Sequence, residues 1–178
     1  MTHPHTSRIS PMTAADIPAL VEVIDRAYRG DHPGSWTTEA HLVEGPRVTA
    51  AQLQELLDDP TMEIFVACGW RSPNSVDGCI MLEMHPHTEL PEMGLFAVEP
   101  SLQGSGVGRA LITALEADAS RRGFPGLTLN VIETRPELIA WYQRLGFEPT
   151  GIRVPFPGFE GQRALADGLH FAQMRRQF

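Results

Sequence analysis

The chain has 178 residues, 42% hydrophobic and 20% charged, with a formal net charge of −8. That is the composition of a folded globular chain with material for a sizeable core, and it excludes a disordered segment. The acidic balance argues against nucleic acid as a partner, which calls for clustered cations, and no apolar run reaches the roughly 20 residues of a membrane span.

In chain order, residues 1–7 read as a frayed tail without the apolar stretch of a secretion signal, so a cytoplasmic protein is expected, built as one domain over 1–178. Arg8 to Pro11 has the length of a short strand. Thr13 followed by Asp16 has the spacing of a capping box, and a helix is predicted from there to about Tyr28. Its apolar stripe is Ile17, Leu20, Val21, Ile24 and Ala27. The stretch from Arg29 to Glu39 is rich in turn residues and carries Trp36. Thr49 to Leu57 reads as a second helix. Met62 to Gly69 and Val76 to Met84 read as two arms of a hairpin around Ser72-Pro73-Asn74-Ser75. The two cysteines, Cys68 and Cys79, fall on opposite arms and are expected to be buried thiols with no disulfide between them. His85, His87 and Glu89 have metal-ligand chemistry, but their setting reads as a polar loop between strands. His3 and His5 sit in the tail, and no metal is predicted.

Gly94 to Ala114, GLFAVEPSLQGSGVGRALITA, is the most informative stretch. Leu95 to Val98 is a strand stopped by Glu99-Pro100. Glycines follow at 104, 106 and 108, and helical periodicity starts at once with Val107, Ala110, Leu111, Ala114 and Leu115. Arg121 and Arg122 suit the last turn of that helix, and Gly123 suits its C′ position. A helix start leaves N–H groups without partners at the positive end of the dipole, and glycines let an anion approach them. A ligand bearing a diphosphate fits that site. A P-loop would need a lysine, and all 14 basic residues here are arginine. A dinucleotide fingerprint would need G-x-G-x-x-G, which this spacing does not supply.

Gly126 to Ile132 reads as a further strand. Thr134 and Glu137 have capping-box spacing around Pro136, so Thr134 is the predicted N-cap of a helix whose apolar face is Leu138, Trp141, Tyr142 and Leu145. Gly146 ends it. Glu148 to Pro155 returns to strand, 156–162 is a loop, and a last strand runs from about Leu169 to Arg175.

The patterns Gln103-x-x-Gly106-x-Gly108 and Tyr142-x-x-x-Gly146-Phe147, in this order, resemble the two signature segments of the GNAT superfamily of N-acetyltransferases. The resemblance covers most of the chain and is specific over Glu92 to Phe147. It implies an α/β fold, a mixed, largely antiparallel sheet of six to seven strands with flanking helices. It implies transfer of the acetyl group of acetyl-CoA to a primary amine of a small-molecule acceptor, by direct attack in a ternary complex. The alternative is a non-catalytic acyl-CoA-binding module of the same fold.

The resemblance also assigns residues. Pantetheine would meet the backbone of Phe96, Ala97 and Val98, where the family strand carries a bulge and splays from its neighbour. Diphosphate would meet Gln103, Gly104, Ser105, Gly106, Val107, Gly108 and Arg109. Asn130 is a candidate amide partner for pantetheine or acceptor. Tyr142 matches the tyrosine that protonates the leaving thiolate. Glu92, just ahead of its strand, matches the base that takes the amine proton, with Glu89 as its rival. Trp36 would line the acceptor site, and Asp31, Glu39 and the negative total charge point to a cationic amine there. Arg135 and Pro136 stand where the family often has an asparagine, so Arg135 would face a phosphate or a substrate carboxylate. A homodimer is compatible with the family.

Overall fold

The structure, a computed structural model, describes residues 7–30, 37–157 and 161–178. Trp36, Asp31, His3, His5 and all of the expected tail except Ser7 lie outside the described residues. The elements in order are β1 (Arg8–Pro11), α1 (Ile17–Arg29), β2 (Val43–Glu44), α2 (Ala50–Asp58), β3 (Met62–Cys68), β4 (Val76–Glu83), β5 (Glu92–Val98), α3 (Val107–Arg121), β6 (Gly126–Ile132), α4 (Pro136–Arg144), β7 (Glu148–Pro155), β8 (Arg163–Ala164) and β9 (His170–Gln177). Seven strands form one sheet in the order β1-β3-β4-β5-β6-β9-β7, and β2 pairs with β8 in a small second sheet. Every neighbour pair in the large sheet is antiparallel except β5 and β6. This is the expected mixed, largely antiparallel architecture.

The helix starts follow from local chemistry. Asp16 accepts from the Thr13 N–H and hydroxyl, both at 2.8 Å, and a 3-10 turn (Ala14–Asp16) leads into α1. Thr49 and Gln52 form a reciprocal capping box at α2, at 2.9 and 3.2 Å. The third helix start is a correction. Thr134 does not cap α4. It is exposed, while Arg135 is the N-cap residue and makes no side-chain cap bond. Pro136 at N1 needs no N–H partner and its φ suits a first turn, so the helix starts without the box. Glu137 instead binds the Arg135 guanidinium.

Alternating strand residues build two cores, one on each face of the sheet. Ile64, Val66 and Cys68 pack with Leu20, Ile24 and Leu53 of α1 and α2. Phe65, Ala67, Ile80 and Leu82 pack with Leu111 and Leu115 of α3, and with Tyr142 and Phe147. Val21 of the expected α1 stripe is partly buried against this core, and Val23 is buried as well. Both cysteines are free and buried.

The strand β5 changes face partway along. Met93 belongs to the α3 side, whereas Leu95 and Ala97 belong to the α1 side. Residues two apart in a regular strand share a face, so one extra residue must intervene. It does: Met81 pairs with Gly94 and Cys79 with Ala97, so Ile80 alone faces Leu95 and Phe96. Leu95 has φ 39°, the one positive φ outside glycine among the described residues. This is a β-bulge.

The bulge is held against β4 at close range. A β-carbon on Gly78 would stand 2.6 Å from the Ala97 carbonyl oxygen and 3.3 Å from Val98 Cα. Both are backbone atoms, so Gly78→Ala must push β4 and β5 apart. We expect it to lower unfolding free energy by about 1–3 kcal/mol, the usual cost of overpacking, measured by urea denaturation. A variant as stable as wild type would show that β5 is not fixed there.

Candidate active site

The parallel strands β5 and β6 pair only at Glu92–Thr128 and Met93–Leu129. Beyond that point the bulge turns β5 away, and a cavity of about 780 Å³ opens between them. A bulge leaves carbonyls without ladder partners, and here side chains satisfy them. The Cys79 thiol donates to Leu95 O at 3.2 Å, the Tyr28 hydroxyl to Phe96 O at 3.0 Å, and Gln103 Nε2 to Val98 O at 3.3 Å. Burial pushes the Tyr28 phenol up to about 12, so it stays a donor.

At one end of the cavity lies the glycine turn. Gly104 and Gly106 take φ of 85° and 95°, values that favour glycine, and Gly106 is the N-cap of α3 without a side-chain cap. The helical ladder begins with Ala110 N–H to Gly106 O at 3.0 Å, which leaves the N–H groups of Val107, Gly108 and Arg109 outside it. A β-carbon on Gly104 or Gly106 would meet nothing within 4 Å, whereas one on Gly108 would stand 3.1 Å from the Phe96 ring. The first two glycines therefore border open space, and Gly108 lets Phe96 pack under the helix start. Phe96, Val98, Gln103, Gly104, Ser105, Gly106, Gly108, Arg109 and Asn130 all line the cavity. The side chains of Ala97 and Val107 do not. Both are buried in the two cores, which leaves only their backbone available to a ligand.

Two polar atoms in this wall are buried without a partner among the described residues: Asn130 Oδ1 and Gln103 Oε1. Buried acceptors normally find donors. The amide side chains, the open glycines and the uncapped helix start together fit a long ligand with a diphosphate and amide groups, which is the chemistry of coenzyme A.

Toward the other end stand Tyr142 and Glu92. Tyr142 is buried, edge-on to Trp141 at 5.0 Å and to Phe147 at 5.8 Å. Its hydroxyl makes no hydrogen bond to a described residue, and burial, with Tyr28 and Glu39 adding to it, raises its pKa well above the ordinary tyrosine value. Glu92 is not ahead of its strand but the first residue of β5. Burial raises its pKa above the usual carboxylate range. The Asn130 amide, donating to Glu92 Oε1 at 3.0 Å, opposes that, and the Glu83 charge adds to it. Glu83 is the direct cross-strand neighbour of Glu92 and lines the same cavity. Glu89 is exposed and does not line it.

Sequence reading missed Glu83, Tyr28 and Arg47, which also line the cavity. Glu83 emerges only once β4 and β5 are in register. Tyr28 was legible as the last turn of α1, but not the reach of its hydroxyl to Phe96. Arg135, expected to face a ligand, is buried and donates to Thr38 O at 2.9 Å. It thereby ties the start of α4 to the segment after α1. Among the described residues, no group of His, Cys, Asp and Glu could hold a metal ion, and no helix is long and apolar enough to cross a membrane.

Comparison with known proteins agrees with this geometry. Among curated proteins, the mycothiol acetyltransferase of Acidothermus cellulolyticus is 31% identical over 153 residues, covering 80% of this chain and 44% of that protein. The chain spans less than half the length of the curated relatives it matches. Among solved structures, the ribosomal-protein-S18-alanine N-acetyltransferase of Escherichia coli has a TM-score of 0.69 at 19% identity, covering 97% of this chain and 94% of that one. The phosphinothricin acetyltransferase of Sinorhizobium meliloti, in complex with AcCoA, has a TM-score of 0.69 at 21% identity over 97% and 89% of the two chains. Residues 21–147 match the acetyltransferase (GNAT) family as a whole, and the chain belongs to that family.

Proposed function

We propose that this protein transfers the acetyl group of acetyl-CoA to a primary amine of a small-molecule acceptor by direct attack in a ternary complex. One observation carries the reading. A single cavity is lined by an uncapped, glycine-headed helix start, a carboxylate of raised pKa and a buried phenol without a hydrogen-bond partner among the described residues. When bound, acetyl-CoA supplies a thioester whose carbonyl carbon the amine nitrogen attacks, forming the N–C bond as the C–S bond breaks. The N–H groups of Val107 to Arg109 and the α3 dipole hold the diphosphate. Asn130 Oδ1 accepts from an amide N–H of the ligand, while its Nδ2 fixes Glu92.

Glu92 accepts the proton that the amine must lose. Its raised pKa brings it closer to the working pH, which makes it a better base than an exposed carboxylate. The Tyr142 hydroxyl stays protonated and faces the same cavity, so it can give a proton or a hydrogen bond to the departing sulfur. The names of the curated relatives support acyl transfer as the reaction class.

The cofactor site is tested at Gly106. Gly106→Val crowds the space open to a ligand and strains a backbone at φ 95°. We expect CoA affinity to fall by about 2 kcal/mol, the loss of one or two charge-assisted hydrogen bonds. Calorimetry on a folded variant with unchanged affinity would move the diphosphate elsewhere.

The proton transfers are tested separately. Tyr142→Phe keeps the ring contacts with Trp141 and Phe147 and should lower kcat by about 10²-fold with little change in Tm. Wild-type turnover, with chemistry rate-limiting, would remove the phenol from the reaction. For Glu92 the active form is ionised, so activity should fall as pH drops through its raised pKa. Glu92→Gln should lower kcat and abolish that acidic limb. A limb that persists in the variant belongs to the amine or to another group. Thiol release from acetyl-CoA across a panel of amines, read beside a CoA isotherm, decides the activity as a whole. Binding without release would make the protein a CoA-binding module.

A further inference from the structure

Strand register shows what stands beside Glu92 on its own face of the sheet. Met93 and Leu129 belong to the α3-side core, so their chain neighbours Glu92 and Asn130 stand on the opposite face. There Asn130 Nδ2 donates to Glu92 Oε1 at 3.0 Å. Ile132 lies two residues beyond Asn130 and shares its face. Ile132 is opposite Phe171 of β9, and Phe171 is opposite Val154 of β7. On the other side Glu83 of β4 is opposite Glu92. From β4 to β7 this face therefore reads Glu83, Glu92, Asn130, Ile132, Phe171 and Val154, and all six line the cavity.

The run divides in the middle. Its β4–β5 end carries two carboxylates, and its β9–β7 end carries only hydrocarbon side chains. Phe156, just past β7, also lines the cavity and sets its ring 5.3 Å from that of Phe171, tilted by 47°. Both rings pack against a third small core of Val43, Ile132 and Leu169, which backs the apolar patch with fixed side chains. The polar groups that line the cavity from the α1 side have partners within the protein. Glu39 lies 3.8 Å from Arg29, and the Arg47 guanidinium carbon lies 5.2 Å from the centre of the Tyr28 ring. Gln162 Nε2 donates to the carbonyls of Pro46 and Arg47, both at 3.0 Å.

We propose that the acceptor is an amine borne on an apolar body, alkyl or aryl, with Glu83 and Glu92 facing the nitrogen and Ile132, Phe171, Val154 and Phe156 covering the body. Two adjacent carboxylates favour a cation. The hydrocarbon floor next to them gains free energy only by covering carbon. A second charge or a hydroxyl laid on that floor would lose its water and find no partner there. This inference rests on the acetyl-transfer reading and narrows its substrate class.

The test is the series of straight-chain amines from propylamine to hexylamine, beside 1,4-diaminobutane, which has the length of pentylamine. Basicity hardly changes along the series, so its slope reads burial. We expect kcat/KM to rise by about fourfold per methylene, the equivalent of about 0.8 kcal/mol for each buried CH₂. 1,4-Diaminobutane should fall about tenfold or more below pentylamine. Val154→Thr keeps the shape of the side chain and puts a hydroxyl on the floor, and Phe171→Ala removes a ring. Each should flatten the series, with CoA affinity by calorimetry confirming the fold. Where Phe171→Ala does not fold, Val154→Thr decides alone. A flat series in the wild type, diaminobutane serving as well as pentylamine, or a slope unchanged in the folded variants would overturn the inference. If no amine is acetylated, the acetyl-transfer reading fails by itself. Calorimetry of the same amines against the CoA-loaded protein then decides this inference alone. Affinity that climbs with chain length and is flattened in Val154→Thr supports it, and equal affinity along the series overturns it.

Discussion

The bulge at Leu95 is the constraint on which the active-site geometry depends. A leucine at φ 39° costs on the order of 1–3 kcal/mol as local backbone strain. It persists because the surroundings over-determine it. Leu95 itself is buried in the α1-side core, and three side chains, Cys79, Tyr28 and Gln103, donate to carbonyls of Leu95, Phe96 and Val98. Were β5 regular, Phe96 would point to the opposite face. It would lose its stacked contact with Trp141, whose ring centre is 5.9 Å away. The β5–β6 ladder would also continue past Met93, and the cavity would close. One inserted residue therefore opens the sheet and places the aromatic floor beneath α3.

The segment Thr37 to Glu39 links the parts that the bulge separates. Thr37 Oγ1 donates to Ala27 O at 3.0 Å and accepts from Gln103 Nε2 at 2.9 Å. The Glu39 N–H donates to Tyr28 O at 2.8 Å, and Thr38 O takes the Arg135 guanidinium. The glycine turn, the end of α1 and the start of the tyrosine-bearing helix thus meet on three consecutive residues. Each neutral contact contributes about 1 kcal/mol and the one from the Arg135 guanidinium about 1.5–3 kcal/mol, and together they hold Glu39 and the start of the Tyr142 helix near the turn. Arg135 gives a physical reason for its place at the head of α4. It reaches across to the Thr38 carbonyl, in the segment after α1.

What was legible in the sequence is what local physics controls. The strand Gly126–Ile132 was bounded correctly because it is a short apolar run between breakers. One helix start, at Thr13 and Asp16, was read from its capping residues. Thr134 misled because the same spacing occurs where a proline and an arginine solve the helix start differently. The strands β2 and β8, two residues each, carry no periodicity to detect. The bulge was expected only through the family resemblance, since Leu95 is an ordinary strand residue and its φ is imposed by tertiary contacts. The same limit applies to the site. Gly104, Gly106 and Tyr142 stand in motifs with local logic. Glu83 and Arg47 enter only through register and long-range packing.

The net charge of −8 shows where composition stops informing mechanism. It pointed to a cationic partner near Glu39. Charge summed over a whole surface acts through solvent, where the Debye length is about 8 Å at physiological ionic strength. Inside a partly closed cavity the screening is weaker, and nearby groups dominate. Glu39 is 15% exposed; burial raises its pKa, and the nearby Arg47, Arg29 and Arg135 oppose that rise, so its surroundings within the protein and not the total charge decide how it meets a ligand. Other acidic residues are paired at the surface, as in Glu133–Arg153 and Glu44–Arg163, and such pairs add nothing to the net charge and little to stability.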